Sequence, residues 1–219
     1  MRHLFLTSAI GTPKVGESIR SKIGHQKPLK TAFITTPIEV EDMTDDRWYR
    51  DDRTALTNNG FDFFDYTVTG KSPKDFAQDL SSIDAIYISG GNTNHLLKES
   101  QQSGFIPFIQ NFVSSGKLYL GTSAGSIIAG PSLPAYLRGD EDKAPILTDF
   151  ACYNLVNFTL LPHWGSNFFK SNYLGGRISQ IYSELMPPFV ICNDHEYVEI
   201  LGDKFKIIDV RHGKWKDYF

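Results

Sequence analysis

Short, nearly continuous apolar runs alternate along this chain with longer stretches whose apolar residues recur at helical spacing. Leu4–Ser8, Thr31–Thr36, Phe61–Tyr66, Ile83–Ser89 and the run beginning at Leu118 read as strands. Val15–Ile23, Asp42–Asn58, Pro73–Leu80, Asn94–Gln102 and Pro107–Ser115 read as the helices between them. Apolar strands alternating with helices are how a parallel sheet covered on both faces is written. The pattern predicts an α/β fold, a three-layer sandwich around a mostly parallel central sheet. Asp42–Asn58 is polar, with apolar residues at wide spacing, and reads as a surface helix ending near Asn59-Gly60. Beyond Gly130 the alternation weakens. Pro131–Phe150 reads as a long loop, Tyr153–Pro162 as a further strand, and Asn167–Leu185 as a helix interrupted at Gly175-Gly176. Phe189–Asn193, Tyr197–Leu201 and Lys204–Val210 read as successive strands around the turn Gly202-Asp203. With no internal repeat and ample core material, residues 1–219 are expected to form a single domain.

Composition narrows the function classes. A net charge of −3 with no clustered basic surface gives no nucleic-acid footprint. No run approaches the ~20 apolar residues of a membrane span. The apolar N-terminal run is too short for a secretory signal and is ended by Gly11-Thr12-Pro13. Cys152 and Cys192 stand far apart, in no metal-type spacing, and read as reduced, buried thiols. The expectation is a cytoplasmic protein without nucleic-acid or membrane partners, with assembly as a homodimer left open.

Chemistry enters at Gly121-Thr122-Ser123-Ala124-Gly125, which follows an apolar strand and precedes the small-residue run Ala124–Ala129. A serine between two glycines at a strand-to-helix junction is the pattern of a nucleophile elbow. The glycines allow a sharp turn, and the helix N-terminus sets backbone N–H groups beside a developing oxyanion. A serine that merely caps the helix is the bland alternative. A second glycine loop, Gly90-Gly91-Asn92-Thr93, ends the preceding strand. It reads either as half of an oxyanion hole, with the N–H groups of Gly91 and Ala124 as donors, or as a helix entry capped by Asn92 or Thr93. Neither dinucleotide nor P-loop glycine spacing is present, so a nucleotide site is weakly supported.

Serine needs a base, and histidine has the suitable pKa. His3 and His25 read as surface residues, and His95 as a helix-cap neighbour or solvent-exposed. His163, in Leu160-Leu161-Pro162-His163-Trp164, ends an apolar run and has the best placement, with His195 and His212 as rivals. Asp194, Glu196 and Asp142 are the carboxylates available to orient an imidazole.

Ser89-Gly90-Gly91-Asn92-Thr93, Gly121-Thr122-Ser123-Ala124-Gly125-Ser126 and Leu161-Pro162-His163-Trp164 together resemble peptidase family S51, in order and spacing, over roughly residues 1–210. That family holds aspartyl dipeptidases and cyanophycinases. The resemblance implies a class I glutamine amidotransferase-like (flavodoxin-like) fold and a serine-type peptidase that cleaves small peptides without metal or organic cofactor. By it, Ser123 is the nucleophile, His163 the general base and Gly91 an oxyanion donor. The family's acid lies in a turn after the histidine segment, which falls on Asp194; an acid between serine and histidine would match Asp142. The aspartyl dipeptidases recognise an N-terminal aspartate through an arginine-containing segment after the histidine. Here Gly165–Gly176 has Lys170 as its only base, with Arg177 just beyond. Two other readings are an α/β-hydrolase-type esterase using His212, and an inactive binding module that keeps the pocket.

Overall fold

The computed structural model describes residues 1–24, 27–138, 147–182 and 188–211. Seven strands form the central sheet in the order β3-β2-β4-β5-β1-β8-β9. These are β1 (His3–Thr7), β2 (Leu29–Ile34), β3 (Phe61–Tyr66), β4 (Ala85–Ile88), β5 (Leu118–Thr122), β8 (Glu196–Leu201) and β9 (Lys204–Asp209). The first five run parallel, and β8 and β9 add an antiparallel edge. The order β3-β2-β4-β5 reproduces the first four places of a flavodoxin-type sheet. The N-terminal strand takes the fifth place, beside β5.

Alternation along the strands divides the core between the two faces. Leu4, Leu6, Ile86, Ile88 and Tyr119 face α3 (Pro73–Asp79), α4 (Thr93–Ser103) and α5 (Phe105–Ser114), burying Phe76, Leu96, Phe105 and Ile109. Phe5, Phe33, Tyr87 and Leu120 face α1 (Val15–Ile23) and α2 (Arg47–Asn58), burying Val15, Ile19 and Leu56. This is the three-layer α/β sandwich that the apolar pattern predicts. No helix among the described residues is long and apolar enough to cross a membrane. Cys152 and Cys192 are free and buried.

Most of the differences fall after Gly130. Tyr153–Val156 is not strand: the N–H groups of Tyr153, Asn154 and Leu155 bond the carbonyls of Ile128, Gly130 and Ala129, wrapping the end of the short helix α6 (Ala124–Ile127). Only β6 (Thr159–Leu161) is extended, and it pairs in parallel with β7 (Phe189–Ile191) in a separate two-stranded sheet. The loop after Gly130 contains a 3-10 turn, Ala135–Leu137. The expected helix over 167–185 begins at Lys170, is kinked within Tyr173–Arg177 at Gly176, where the sequence places the interruption, and continues as Ile178–Tyr182; residues 183–185 lie outside the described residues. The expected surface helix begins at Arg47 rather than Asp42 and buries Asp52 as well as Leu56.

Candidate active site

The carboxyl ends of β4, β5 and β1 lie side by side, and both glycine loops start there. At the end of β5, Ser123 takes φ 49° and ψ −107° and stands at the N-terminus of α6. Positive φ at a non-glycine residue costs on the order of 1–3 kcal/mol and persists only where the surroundings enforce it. They do so here. The Ser123 N–H donates to the Thr7 carbonyl at 3.0 Å, and the Ser126 hydroxyl bonds the Thr7 and Gly121 carbonyls at 2.7 and 2.8 Å. Gly125 lets α6 lie directly on β4: a Cβ there would sit 2.3 Å from the Ile88 carbonyl oxygen.

Three predicted residues meet in a line. Ser123 Oγ lies 3.0 Å from His163 Nε2, and His163 Nδ1 lies 2.7 Å from Asp194 Oδ1. His163 follows β6 and also has positive φ, 63°. Its N–H donates to Ser8 Oγ at 3.1 Å, and the Ser8 hydroxyl donates to the Cys192 carbonyl, also at 3.1 Å. The Phe169 ring stacks on the imidazole with centroids 4.5 Å apart. Asp194 Oδ1 can accept a hydrogen bond from Nδ1–H, which leaves Nε2 free to accept the proton of Ser123.

Glu196 does not join them. Asn193–His195 forms a turn rather than continuing a strand, so Glu196 does not share a face with Asp194. It folds back instead, and its Oε2 accepts the Asn193 N–H at 3.0 Å. Asp142, His25 and His212 lie outside the described residues. His195 contributes backbone bonds to Asn193 Oδ1 and the Val210 N–H. His3 pairs with Glu199 at 3.2 Å.

The second glycine loop sits beside the serine. A Cβ built on Gly90 would lie 3.5 Å from Ser123 Cβ and 3.2 Å from Cζ3 of Trp48, an indole on the first turn of α2. Gly91 has φ 125°, and a Cβ there would lie 2.4 Å from the Pro37 carbonyl oxygen, so backbone is pressed on backbone. Asn92 caps α4, its side chain accepting the His95 N–H at 2.9 Å, and its own N–H donates to Pro37. The Gly91 and Ala124 N–H groups have no acceptor among the described residues. His95 is the helix-cap neighbour the sequence offers, but it is buried rather than solvent-exposed, with Nε2 2.9 Å from Glu39 Oε2. Burial opposes ionisation of Glu39, but hydrogen bonds from His95, Thr67 and Thr69 outweigh it and hold the carboxyl below its ordinary range. That clamp ties the Pro37 turn to α4 behind Gly91.

Arg177 stands on the other flank of His163. Its guanidinium lies 5.7 Å from the Phe169 ring centroid, 4.7 Å from that of Tyr136 and 5.4 Å from that of Tyr173. No carboxylate among the described residues pairs with it. Arg177 lies one residue beyond the Gly165–Gly176 segment, and no sequence signal shows that the kinked Tyr173–Arg177 turn brings it over Phe169. Ser8 and Trp48 were missed outright. Only the fold brings a strand end and a surface-helix residue to this cleft. No group of His, Cys, Asp and Glu among the described residues could hold a metal ion.

A sequence model of peptidase family S51 matches residues 4–208. An uncharacterized peptidase of Pasteurella multocida is 31% identical over 214 residues, covering 97% of this chain and 99% of its own. Peptidase E of Shewanella oneidensis is 40% identical over 91 residues, 41% of this chain and 36% of that protein. The crystal structure of a Listeria monocytogenes protein assigned as peptidase E superposes with a TM-score of 0.82 at 28% identity, covering 96% of this chain and 99% of the other.

Proposed function

The chain belongs to peptidase family S51, with a class I glutamine amidotransferase-like fold, and we propose that it is a serine peptidase of short, acidic peptides. The observation that carries this reading is the unbroken line Ser123–His163–Asp194 at 3.0 and 2.7 Å. In the proposed mechanism Ser123 Oγ attacks the scissile carbonyl as His163 Nε2 takes its proton. Asp194 holds the imidazole in the tautomer that makes Nε2 the acceptor and stabilises the imidazolium. The N–H groups of Gly91 and Ala124 bind the oxyanion. Removal of one such donor costs about 100- to 1000-fold in rate in a related arrangement. His163 then passes the proton to the leaving amine, and a water molecule repeats the sequence to free the acid. No step calls for a metal or organic cofactor.

Arg177 supports an acidic substrate. Its charge is held against three rings beside the imidazole, without an anionic partner among the described residues, and a substrate carboxylate would supply one. The line of contacts through His163 supports this base over the late histidine of an esterase.

A fluorophosphonate probe tests the chemistry, and a panel of Asp-X, Glu-X and neutral dipeptides tests the substrate. The wild-type chain should be labelled at Ser123 and cleave Asp-X or Glu-X first, while His163→Ala should do neither. Absence of a Ser123 adduct on folded protein would favour the inactive binding module.

A further inference from the structure

A carboxyl group is buried in the layer beneath the site. Asp52, on α2, is 2% exposed. Its Oδ2 accepts the Tyr87 hydroxyl at 2.6 Å and its Oδ1 accepts the Gly11 N–H at 2.9 Å. Tyr87, on β4, is buried and its hydroxyl interacts with the side chain of Thr122, the residue before Ser123. Thr122 Oγ1 lies 2.9 Å from Thr7 Oγ1. Thr7 is the residue whose carbonyl holds the Ser123 N–H, and Ser8 holds that of His163. Gly11 closes the same loop three residues on, pressed so tightly on α2 that a Cβ there would lie 2.8 Å from the Asp51 carbonyl carbon.

Docking α2 does not require this network. Leu56 is fully buried, and Arg53 lies over the Phe33 and Phe63 rings. Burying a carboxyl among apolar side chains is unfavourable, and an apolar residue would seat the helix better. What the carboxyl alone provides is two acceptor oxygens joining α2, β4 and the β1 loop.

We propose that Asp52 is a positioning residue: through Tyr87 and the Gly11 N–H it fixes Thr122, Thr7 and Ser8, and through them the backbones of Ser123 and His163. The proposal rests on Ser123 and His163 being the reacting pair. The groups facing Asp52 are Tyr87 from β4 and the Gly11 N–H from the β1 loop, with Asp51 acting through space from its own helix. α1 meets α2 with Gly16 against Ala55 and Asn59, which bring no charge. Burial pushes the Asp52 carboxyl up to about 7, against the two hydrogen bonds that favour its ionised form. Ionised, it accepts from both donors and Tyr87 can accept from Thr122. Protonated, it must donate to one neighbour, which reverses the chain at Tyr87. The reactivity of Ser123 therefore carries an ionisation belonging to Asp52.

The second-order rate of Ser123 labelling by a fluorophosphonate, measured from pH 6 to 9, tests this without a choice of peptide. Asp52→Asn should label about tenfold more slowly at pH 8, within the ~100-fold that a 1 Å misplacement can cost. It should also lose one inflection near neutrality while remaining at least as resistant to urea at that pH. Tyr87→Phe should slow labelling in the same direction, and decides alone if Asp52→Asn does not fold. Labelling at the wild-type rate throughout overturns the proposal. Slowing that merely tracks a loss of stability at pH 8 also overturns it and leaves Asp52 a folding residue. A folded wild-type chain that never labels removes the serine-nucleophile reading itself, and the inference with it, a result readily told apart from unchanged variants.

Discussion

The same buried carboxyl makes the stability of the protein depend on pH in a direction opposite to that of most aspartates. Asp52 titrates near 3.8 in an unfolded chain and near 7 in the native one, where burial is the largest cause. Below pH ~4 it is protonated in both states and its full contribution is present. Between the two values the unfolded chain releases a proton that the native chain keeps, so stability falls as pH rises, by up to about 1.4 kcal/mol per pH unit. Over about three units the loss approaches ~4 kcal/mol, complete once the pH has passed through the native value. Asp52→Asn removes this dependence at a fixed cost. The amide matches the protonated carboxyl, with Oδ1 for the Gly11 N–H and Nδ2–H toward the Tyr87 oxygen. A misfit in that exchange costs at most what one unmet buried donor does, about 1–3 kcal/mol. The variant should be level with or below wild type at pH 5 and should overtake it by about 1–3 kcal/mol at pH 8. Urea titrations at the two pH values, followed by far-UV circular dichroism, provide the measurement. A wild-type-minus-variant difference that stays constant across that range refutes the reasoning.

Other expectations follow from single contacts. Asp194→Asn keeps the side-chain shape but offers an N–H where Nδ1–H needs an acceptor; the aspartate side chain is 36% exposed, so water softens the effect. Turnover should fall about 100- to 10,000-fold with little change in stability, and Glu196→Gln, which leaves the Ser123–His163–Asp194 line intact, should lose less than tenfold. Gly125→Ala drives a methyl group to 2.3 Å from the Ile88 carbonyl. Moving α6 off β4 should cost about 1–3 kcal/mol in a urea titration and abolish probe labelling. Arg177→Met keeps apolar contact with the three rings and removes the charge, so KM for Asp-X should rise at least about tenfold while neutral dipeptides are unaffected. Equal KM changes for both substrate types would exclude Arg177 from recognition.

What the sequence made legible was whatever depends on local pattern. The parallel strands, the elbow at Ser123 and the helix entry at Asn92 each rest on a few consecutive residues, and the structure places them there. What it hid depends on residues brought together by folding. Asp51-Asp52 looks like the solvated face of a polar helix because the partners of Asp52 lie 41 residues before it and 35 after it. Asp194 and Glu196 were inseparable while Asn193–His195 could be extended; one turn sends the first to His163 and the second to the Asn193 N–H. Tyr153–Val156 is apolar enough for a strand, but its backbone donors are used on the end of α6. Arg177 sits just after the kink at Gly176 that the glycine pair predicts, and only the fold shows its guanidinium lying over the Phe169 ring.

The position of β1 ties these features together. Ser123 and His163 are 40 residues apart, each in a backbone conformation unfavourable for its side chain, φ 49° and 63°. Two such residues store roughly 2–6 kcal/mol of strain if each costs 1–3. Their N–H groups are held by consecutive residues at the end of one strand, Ser123 by the Thr7 carbonyl and His163 by the Ser8 hydroxyl. Because Thr7 acts through its backbone carbonyl, in the plane of the sheet, and Ser8 through its side chain just beyond the strand end, the two residues can serve two different segments at a fixed spacing. An N-terminal strand inserted beside β5 is thus the template that sets serine and imidazole 3.0 Å apart. The loop that continues this strand reaches Asp52 only three residues after Ser8, so the proposed influence of the buried carboxyl passes through the template and not through the side chain of Ser123 or His163. On this argument, substitutions at Thr7 and Ser8 should disturb Ser123 and His163 more than substitutions of equal size at the outer strands β3 or β9.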